Sequence, residues 1–436
     1  MSGSGGWAVA AVAAVTGGYA LVSRCPAAAF ASAPMVFTAA GVLIGPAGLG
    51  LLDLEHDAGP VLILAEAALA LVLFTDAATV RSEEFRNGWF LPVRLLVVAL
   101  PLTIVGGGLL AWALLPGLTG WEPALVGVIL APTDASVSKA AVFAPRIPAV
   151  VRHGLNAECG LNECLVLPVF AVLLAALPGT SAAHQGVSGI LRHVLLLSPL
   201  LGLVAGGLGG VLLSRSRAAD LVTHDWRSIL PLAVAAGAGA LAAATGGSAF
   251  VAAWVAGFAF AAALRAGPPP GSAQDGEDDT LDAVEHLAAL LASLSFLVFG
   301  AVLLGPALAH LEWRVVAYAV LSLTVVRALP TALALTGSRL RPATVAYTAW
   351  FGSRGLPSLV LGLVVVAEEA PGARPAGTVI AVTVGLGVLL HGLSSVPLAG
   401  RYGRWYASAA ARRPSLRENV AGSLPGEHVL PEWRRQ

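Results

Sequence analysis

The chain has 436 residues, 57% of them hydrophobic and only 11% charged, and its formal net charge at pH 7 is zero. Soluble domains carry about 25% charged residues, so this composition excludes a soluble globular protein. The three cysteines fit no metal or redox spacing, and Cys159 and Cys164 lie five residues apart on one predicted helix, a poor disulfide geometry. They read as small helix-packing residues; no cofactor and no nucleic-acid partner are expected.

Apolar stretches follow one another along nearly the whole chain, and both Leu95–Trp121 and Ser228–Leu264 are free of charge. A spanning helix needs ~20 apolar residues. The runs are continuous rather than alternating, which favours helices over a β-barrel. The predicted spans in chain order are residues 6–22, 31–50, 60–80, 91–115, 123–143, 155–177, 190–213, 228–244, 247–265, 285–308, 313–336, 343–367 and 376–399, thirteen in all. The first has no basic segment ahead of it, and Arg24 follows it, so it reads as a retained span and not a cleaved signal. With the N-terminus outside and the C-terminus inside, inner segments hold 19 of the 25 Lys+Arg. These are Arg24, Arg81, Arg86, Lys139, Arg146, Arg152, Arg215, Arg217, Arg227, Arg265, Arg339, Arg341 and seven tail arginines. Outer segments show Asp53, Glu55, Asp57, Glu122, Glu368 and Glu369. The positive-inside rule supports this orientation. The chain divides into one membrane domain, residues 1–400, and an Arg-rich cytoplasmic tail, residues 401–436, with Trp405 and Trp433 suited to anionic lipid. The loop Ala266–Thr280, with three prolines and an acidic run at 275–279, reads as a solvated linker. The Arg-over-Lys and Ala/Gly bias matches a GC-rich bacterial genome, so a bacterial plasma membrane is the expected location.

Two spans are interrupted. One breaks at Pro132-Thr133-Asp134, the other at Gly352-Ser353-Arg354-Gly355-Leu356-Pro357, about 220 residues later. Paired broken helices in two halves point to an inverted-repeat transporter with its site at the membrane midplane. Pro132 lacks a donor and frees a carbonyl. That carbonyl and the Thr133 hydroxyl are candidate cation ligands, and Asp134 is read as a ligand or as a cap on a half-helix. Carboxylates at membrane depth cost roughly 2.5–3.5 kcal/mol each on insertion scales. Glu158, Asn162 and Glu163 sit on one predicted helix, where Glu158 and Asn162 share a face and Cys159 and Glu163 share the next. A carboxylate that binds either a hard cation or a proton is the minimal exchange device, and Glu163 is assigned that role. Glu158 is assigned a structural ion pair with a buried arginine, Arg327 or Arg354, because an arginine in hydrocarbon needs a partner. Asp76, beside Thr75 at the end of the third span, is read as an entrance or ligand residue or as a simple helix-end charge. Glu66 has no obvious partner, and His391 reads as a packing histidine. No Gly-Asp protease pair occurs, and the protein is not expected to be an enzyme.

Ala131-Pro132-Thr133-Asp134-Ala135, Ala157–Glu163 and Phe351-Gly352-Ser353-Arg354-Gly355 occur in that order. Together they resemble the Thr-Asp-Pro break, the Glu-Ser-x-x-Asn-Asp helix and the Gly-x-Arg-Gly break of bacterial sodium/proton exchangers of the monovalent cation:proton antiporter type. The resemblance is collinear over roughly residues 10–400, and Phe74-Thr75-Asp76 falls where that family often has Phe-Glu. It implies an all-α polytopic membrane protein of about thirteen spans, with inverted repeats. A six-helix core, about 91–177 and 313–399, would move against a dimerisation domain in a homodimer. It implies secondary active exchange of a monovalent cation, Na+ first and K+ or Li+ next, for H+, as in pH homeostasis. Sodium is placed at Thr133, Asp134 and Glu163, with Asn162, Cys159 and Asp76 nearby, and Asn162 points to the electroneutral branch. Two positions depart from the family pattern: Glu163 is one methylene longer than aspartate, and Cys159 replaces a serine oxygen with soft sulfur. The competing expectation is a non-transporting or channel-like relative with an altered ion site.

Overall fold

The computed structural model describes residues 3–23, 31–51, 58–79, 89–118, 120–142, 144–267, 280–309, 311–368, 372–413 and 415–419. Arg24, Arg81, Arg86, Asp53, Glu55, Asp57, Glu369, the 268–279 loop and the end of the tail with Trp433 lie outside the described residues. Among the described residues every regular element is helical. The series begins with α1 Gly3–Val22, α2 Ala33–Ile44, α3 Ala58–Thr79, α4 Phe90–Leu114, α5 Glu122–Ile129, α6 Lys139–Val142 and α7 Ala149–Ala176. It continues with α8 Gly186–Ala218, α9 His224–Ala244, α10 Ala249–Ala266, α11 Asp282–Ala309 and α12 Trp313–Ala334. The last three are α13 Pro342–Trp350, α14 Leu356–Ala367 and α15 Ala373–Arg412. Nine described helices are long and apolar enough to cross a membrane, and three shorter apolar ones lie at Gly6–Val22, Ala33–Ile44 and Leu356–Ala367. Each predicted stretch falls on helix. Those at 123–143 and 343–367 are each divided into two short pieces, α5 with α6 and α13 with α14.

The unbroken helices still carry proline, and at three of these prolines the chain widens in the same way. Wide π-turns occur at Leu95–Ala99 in α4, His193–Leu197 in α8 and Gly300–Leu304 in α11. Each lies just before a proline, Pro101, Pro199 and Pro306. A proline ring collides with the carbonyl four residues back and offers it no N–H, and a π-turn shifts the hydrogen-bond register to make room. The spans stay continuous where periodicity alone would allow a stop. In α12 the chain instead kinks at Thr324, where φ is −106° and ψ −81°, and Arg327 follows one turn later.

Close helix contacts are built on glycine. On α8, a Cβ at Gly202, Gly206 or Gly210 would run into the carbonyls of Ala252, Ala256 and Phe260 on α10. On the other side of α10, a Cβ at Gly257 would run into the carbonyl of Phe74 on α3. Backbones that approach this closely gain dispersion contact, which is what holds helices together where lipid removes the hydrophobic drive. Beyond α15 the chain turns back on the bundle. Glu418, 1% exposed, accepts hydrogen bonds from the Arg341 N–H (2.9 Å) and Thr344 Oγ1 (2.8 Å) at the start of α13. Arg417 lies over the Phe90 ring at 4.7 Å, and Tyr406 donates to Asn419 Oδ1 at 2.8 Å.

Gly206→Val should force α8 away from α10. Overpacking of this kind costs about 1–3 kcal/mol, so the purified protein should melt at a lower temperature than a Gly207→Val control, because Gly207 faces open space.

Candidate functional site

The two interrupted helices cross, and their loose ends meet each other's side chains. Asp134 is the central group. Its Oδ1 accepts the N–H of Ser136 (2.7 Å) at the start of the 3-10 turn Ala135–Ser138 that leads into α6. Its Oδ2 accepts the N–H of Leu356 (2.9 Å), the first residue of α14. One carboxylate thus caps the N-terminal ends of half-helices from both breaks, where backbone donors and the helix dipole favour negative charge. The backbones are also paired: Asp134 N donates to the Ser353 carbonyl (2.8 Å), and Ser353 Oγ donates to the Asp134 carbonyl (2.6 Å). Gly355 is required here, since a Cβ would occupy the space of the Asp134 carboxylate.

The opposite end of α5 presents free carbonyls, and a cation meets them. Arg354 Nη1 donates to Ala131 O (2.7 Å) and Pro132 O (3.3 Å), while Ser358 Oγ donates to Ile129 O (2.7 Å). Arg354 is fully buried. The expected ion pair of Glu158 forms with Arg327, in a two-pronged contact of 2.7 and 2.9 Å, with both residues 1% exposed. Arg354, the other expected partner, takes no part in that pair, because the α5 carbonyls occupy it. Arg327 in turn is pressed against the second break, where a Cβ at Gly352 would run into its guanidinium.

Beside this scaffold lies α7. Asn162 Nδ2 donates to both the carbonyl and the hydroxyl of Thr133, at 2.9 Å each. Cys159 Sγ is 3.5 Å from the same Thr133 Oγ1. Asn162 Oδ1 is buried with no hydrogen-bond partner among the described residues. Glu163 is 5% exposed, and the charged groups that act on it are Asp76 and Asp134, both acids. Asp76, near the end of α3, is acted on by Asp134 and Glu285 and by one cation, Lys139. The structure therefore gathers Thr133, Asp134, Cys159, Asn162, Glu163 and Asp76 around the first break, with Glu158, Arg327 and Arg354 on its other flank. Among the described residues no three His, Cys, Asp or Glu side chains converge closely enough to hold a metal ion. His391 is remote in role: it is buried in α15, with Nδ1 3.0 Å from the Gly387 carbonyl and its ring 5.4 Å from that of Trp350.

The serines Ser353, Ser358 and Ser138 were not singled out from the sequence, yet they close the crossing; Ser138 Oγ lies 3.1 Å from Ser353 Oγ. Their signal was position alone, one hydroxyl inside or just past each break. Glu122 and Gly372 also meet, at the start of α5 and the start of α15, where a Cβ on Gly372 (φ 74°) would run into the Glu122 carboxyl.

An all-helical bundle whose two broken helices cross at a half-buried acid defines a membrane transporter of the exchanger class. The chain belongs to the sodium/hydrogen exchanger transmembrane family, whose model matches residues 11–400. The fold is similar to that of the sodium proton antiporter MjNhaP1 from Methanocaldococcus jannaschii. The structure at pH 8 gives a TM-score of 0.74 at 20% identity, covering 92% of this chain and 98% of that one. An electron-microscopy map of the same antiporter gives a TM-score of 0.63 at 18% identity, covering 97% and 99%. A Na(+)/H(+) antiporter of Saccharomyces cerevisiae is 27% identical over 137 residues, 29% of this chain and 14% of the yeast protein.

Removing one member of a buried pair leaves an uncompensated charge, at a cost of about 3–5 kcal/mol. Glu158→Gln should therefore lower the melting temperature and yield sharply. Glu163→Gln, which leaves no cation unpaired, should melt like the parent protein. Equal melting of the two variants would contradict the assignment of Glu158 to Arg327.

Proposed function

We propose that the protein exchanges a monovalent cation, sodium first, for a proton by alternating access, with Glu163 as the carboxylate that carries either. One observation carries the reading. Around the crossing, Glu158 is matched by Arg327 and Asp134 by two helix N-termini, while Glu163 is buried and the charges acting on it are negative. A buried carboxylate without a compensating charge is strongly disfavoured. It is relieved by binding a proton or a cation, and the two compete for one site. The unpartnered Asn162 Oδ1 and the Thr133 oxygens beside it are hard ligands suited to sodium. Asp76, with Lys139 and Glu285 acting on it, lines the approach from the inner side.

The moving part in this reading is a core of residues about 91–177 and 313–399, working against a dimerisation domain that includes α3 and α8 to α10. The glycine-mediated contacts that tie α8, α10 and α3 together support their acting as one body. The protein would work as a homodimer in a bacterial plasma membrane, its N-terminus outside and its tail inside. The names of the archaeal and yeast antiporters it resembles agree with sodium as the cation.

The deciding experiment is cation/proton exchange in everted vesicles, with sodium, potassium and lithium compared. Glu163→Gln keeps the volume and cannot ionise, so exchange should fall to background while the protein still inserts. Near-normal exchange in that variant would remove Glu163 from the mechanism. A protein that let protons leak without any added cation would be channel-like instead.

Cys159 sits against Thr133 with sulfur where a hydroxyl would offer a hard cation more. Cys159→Ser should lower the apparent KM for sodium or lithium with little change in melting temperature. Glu163→Asp alone should weaken transport, and adding Cys159→Ser should recover it. Strictly additive effects would show that the longer acid and the sulfur do not compensate one another.

A further inference from the structure

Helix α10 is gripped on two sides, by α8 through Gly202, Gly206 and Gly210 and by α3 through Gly257. A third side turns toward α7. From it Trp254, half-buried and packed against the main apolar core, sends its indole N–H to the Gly160 carbonyl at 2.7 Å. Gly160 lies one residue after Cys159, two before Asn162 and three before Glu163. The indole ring is braced from behind by Phe258, stacked at 6.4 Å between centroids and 9° from parallel. The bond is short, and its acceptor belongs to the helix that carries Glu163. Its donor belongs to the helix tied to α8 and α3.

We propose that the Trp254–Gly160 hydrogen bond is a catch that holds α7 against α10 in this conformer. Trp254 is then a positioning residue for exchange that never touches the ion. The proposal rests on the alternating-access reading above. If α7 moves with the core while α10 stays with α8 and α3, the pair cannot keep this geometry through the cycle. An indole donor in an apolar setting has no water to take over when the bond breaks. The bond therefore adds to the barrier for leaving this conformer. Trp254 bonds a backbone carbonyl and none of the candidate ion-ligand side chains, so the effect falls on turnover. One such bond between membrane helices corresponds to about a three- to fivefold factor.

The test uses the full chain in proteoliposomes. Trp254→Phe keeps an aromatic ring against Phe258 and loses the donor. The expected result is a three- to fivefold higher turnover number for sodium/proton exchange, with the sodium KM within twofold of the parent. Amide hydrogen exchange over residues 155–164 should also be three- to fivefold faster, with exchange across the α8–α10 contact unchanged. Unchanged or lower turnover would overturn the proposal. So would a raised KM at constant turnover, which would make Trp254 part of the ion site. If Trp254→Phe fails to fold, 3-benzothienylalanine at position 254 replaces the N–H by sulfur at nearly constant shape and is judged by the same outcomes. A parent protein that exchanges no cation would overturn the function proposed above, and the amide-exchange comparison would then decide on Trp254 by itself.

Discussion

Breaking a helix in the middle of an apolar bundle leaves backbone donors on one side of the gap and acceptors on the other, with no water to satisfy either. In this protein two such gaps are laid across one another, and each supplies what the other lacks. Asp134 from the first break reaches the free N–H of Leu356 past the second. Arg354 from the second reaches the free carbonyls of Ala131 and Pro132 in the first. Each helix terminus carries about half an elementary charge, so an acid on two N-termini and an arginine on a C-terminus leave the centre close to balanced. This explains why irregular backbone is tolerated at this depth.

The balance is incomplete in one place. Glu158 and Arg327 cancel in a two-pronged contact. Asp134 and Arg354 cancel against helix ends. Among the described residues Glu163 and Asp76 have no comparable partner, and they stand on helices, α7 and α3, that flank the crossing instead of forming it. Matched and unmatched carboxylates thus stand on one helix a few positions apart: Glu158, paired with Arg327, and Glu163, one turn and a half further along. An unmatched buried carboxylate is unfavourable in its charged form, which is the property that the proposed exchange role of Glu163 rests on.

Much of this was legible from residue order. The two breaks, the helix with Glu158, Asn162 and Glu163, and the buried arginines all stand out because charge and proline are rare in apolar runs. The same logic located Asp76. What the sequence left open was partnership. Arg327 and Arg354 both lie in apolar context, and only the kink at Thr324 and the close pass over Gly352 decide that Arg327 meets Glu158. The double capping by Asp134 was also hidden, because a ligand and a cap have the same residue type at the same spot, and the second capped helix begins 222 residues away. The serines were invisible for a simpler reason: a hydroxyl in a membrane helix commonly bonds back to its own helix, as Thr103 and Thr383 do here. The π-turns before Pro101, Pro199 and Pro306 likewise leave the hydrophobic pattern unmarked.

The part of the chain beyond residue 400 contributes contacts to the bundle. Glu418 supplies the carboxylate at the start of α13, and Tyr402 ties the same Thr344 hydroxyl from α15 at 3.0 Å. The far end of α13 is the break that carries Ser353 and Arg354. During synthesis α13 leaves the ribosome more than 70 residues ahead of the group that caps it. The contact at the start of α13 therefore forms only after the last apolar helix and the turn that follows it have been made, so the second broken helix is completed by a residue that lies beyond the last long helix.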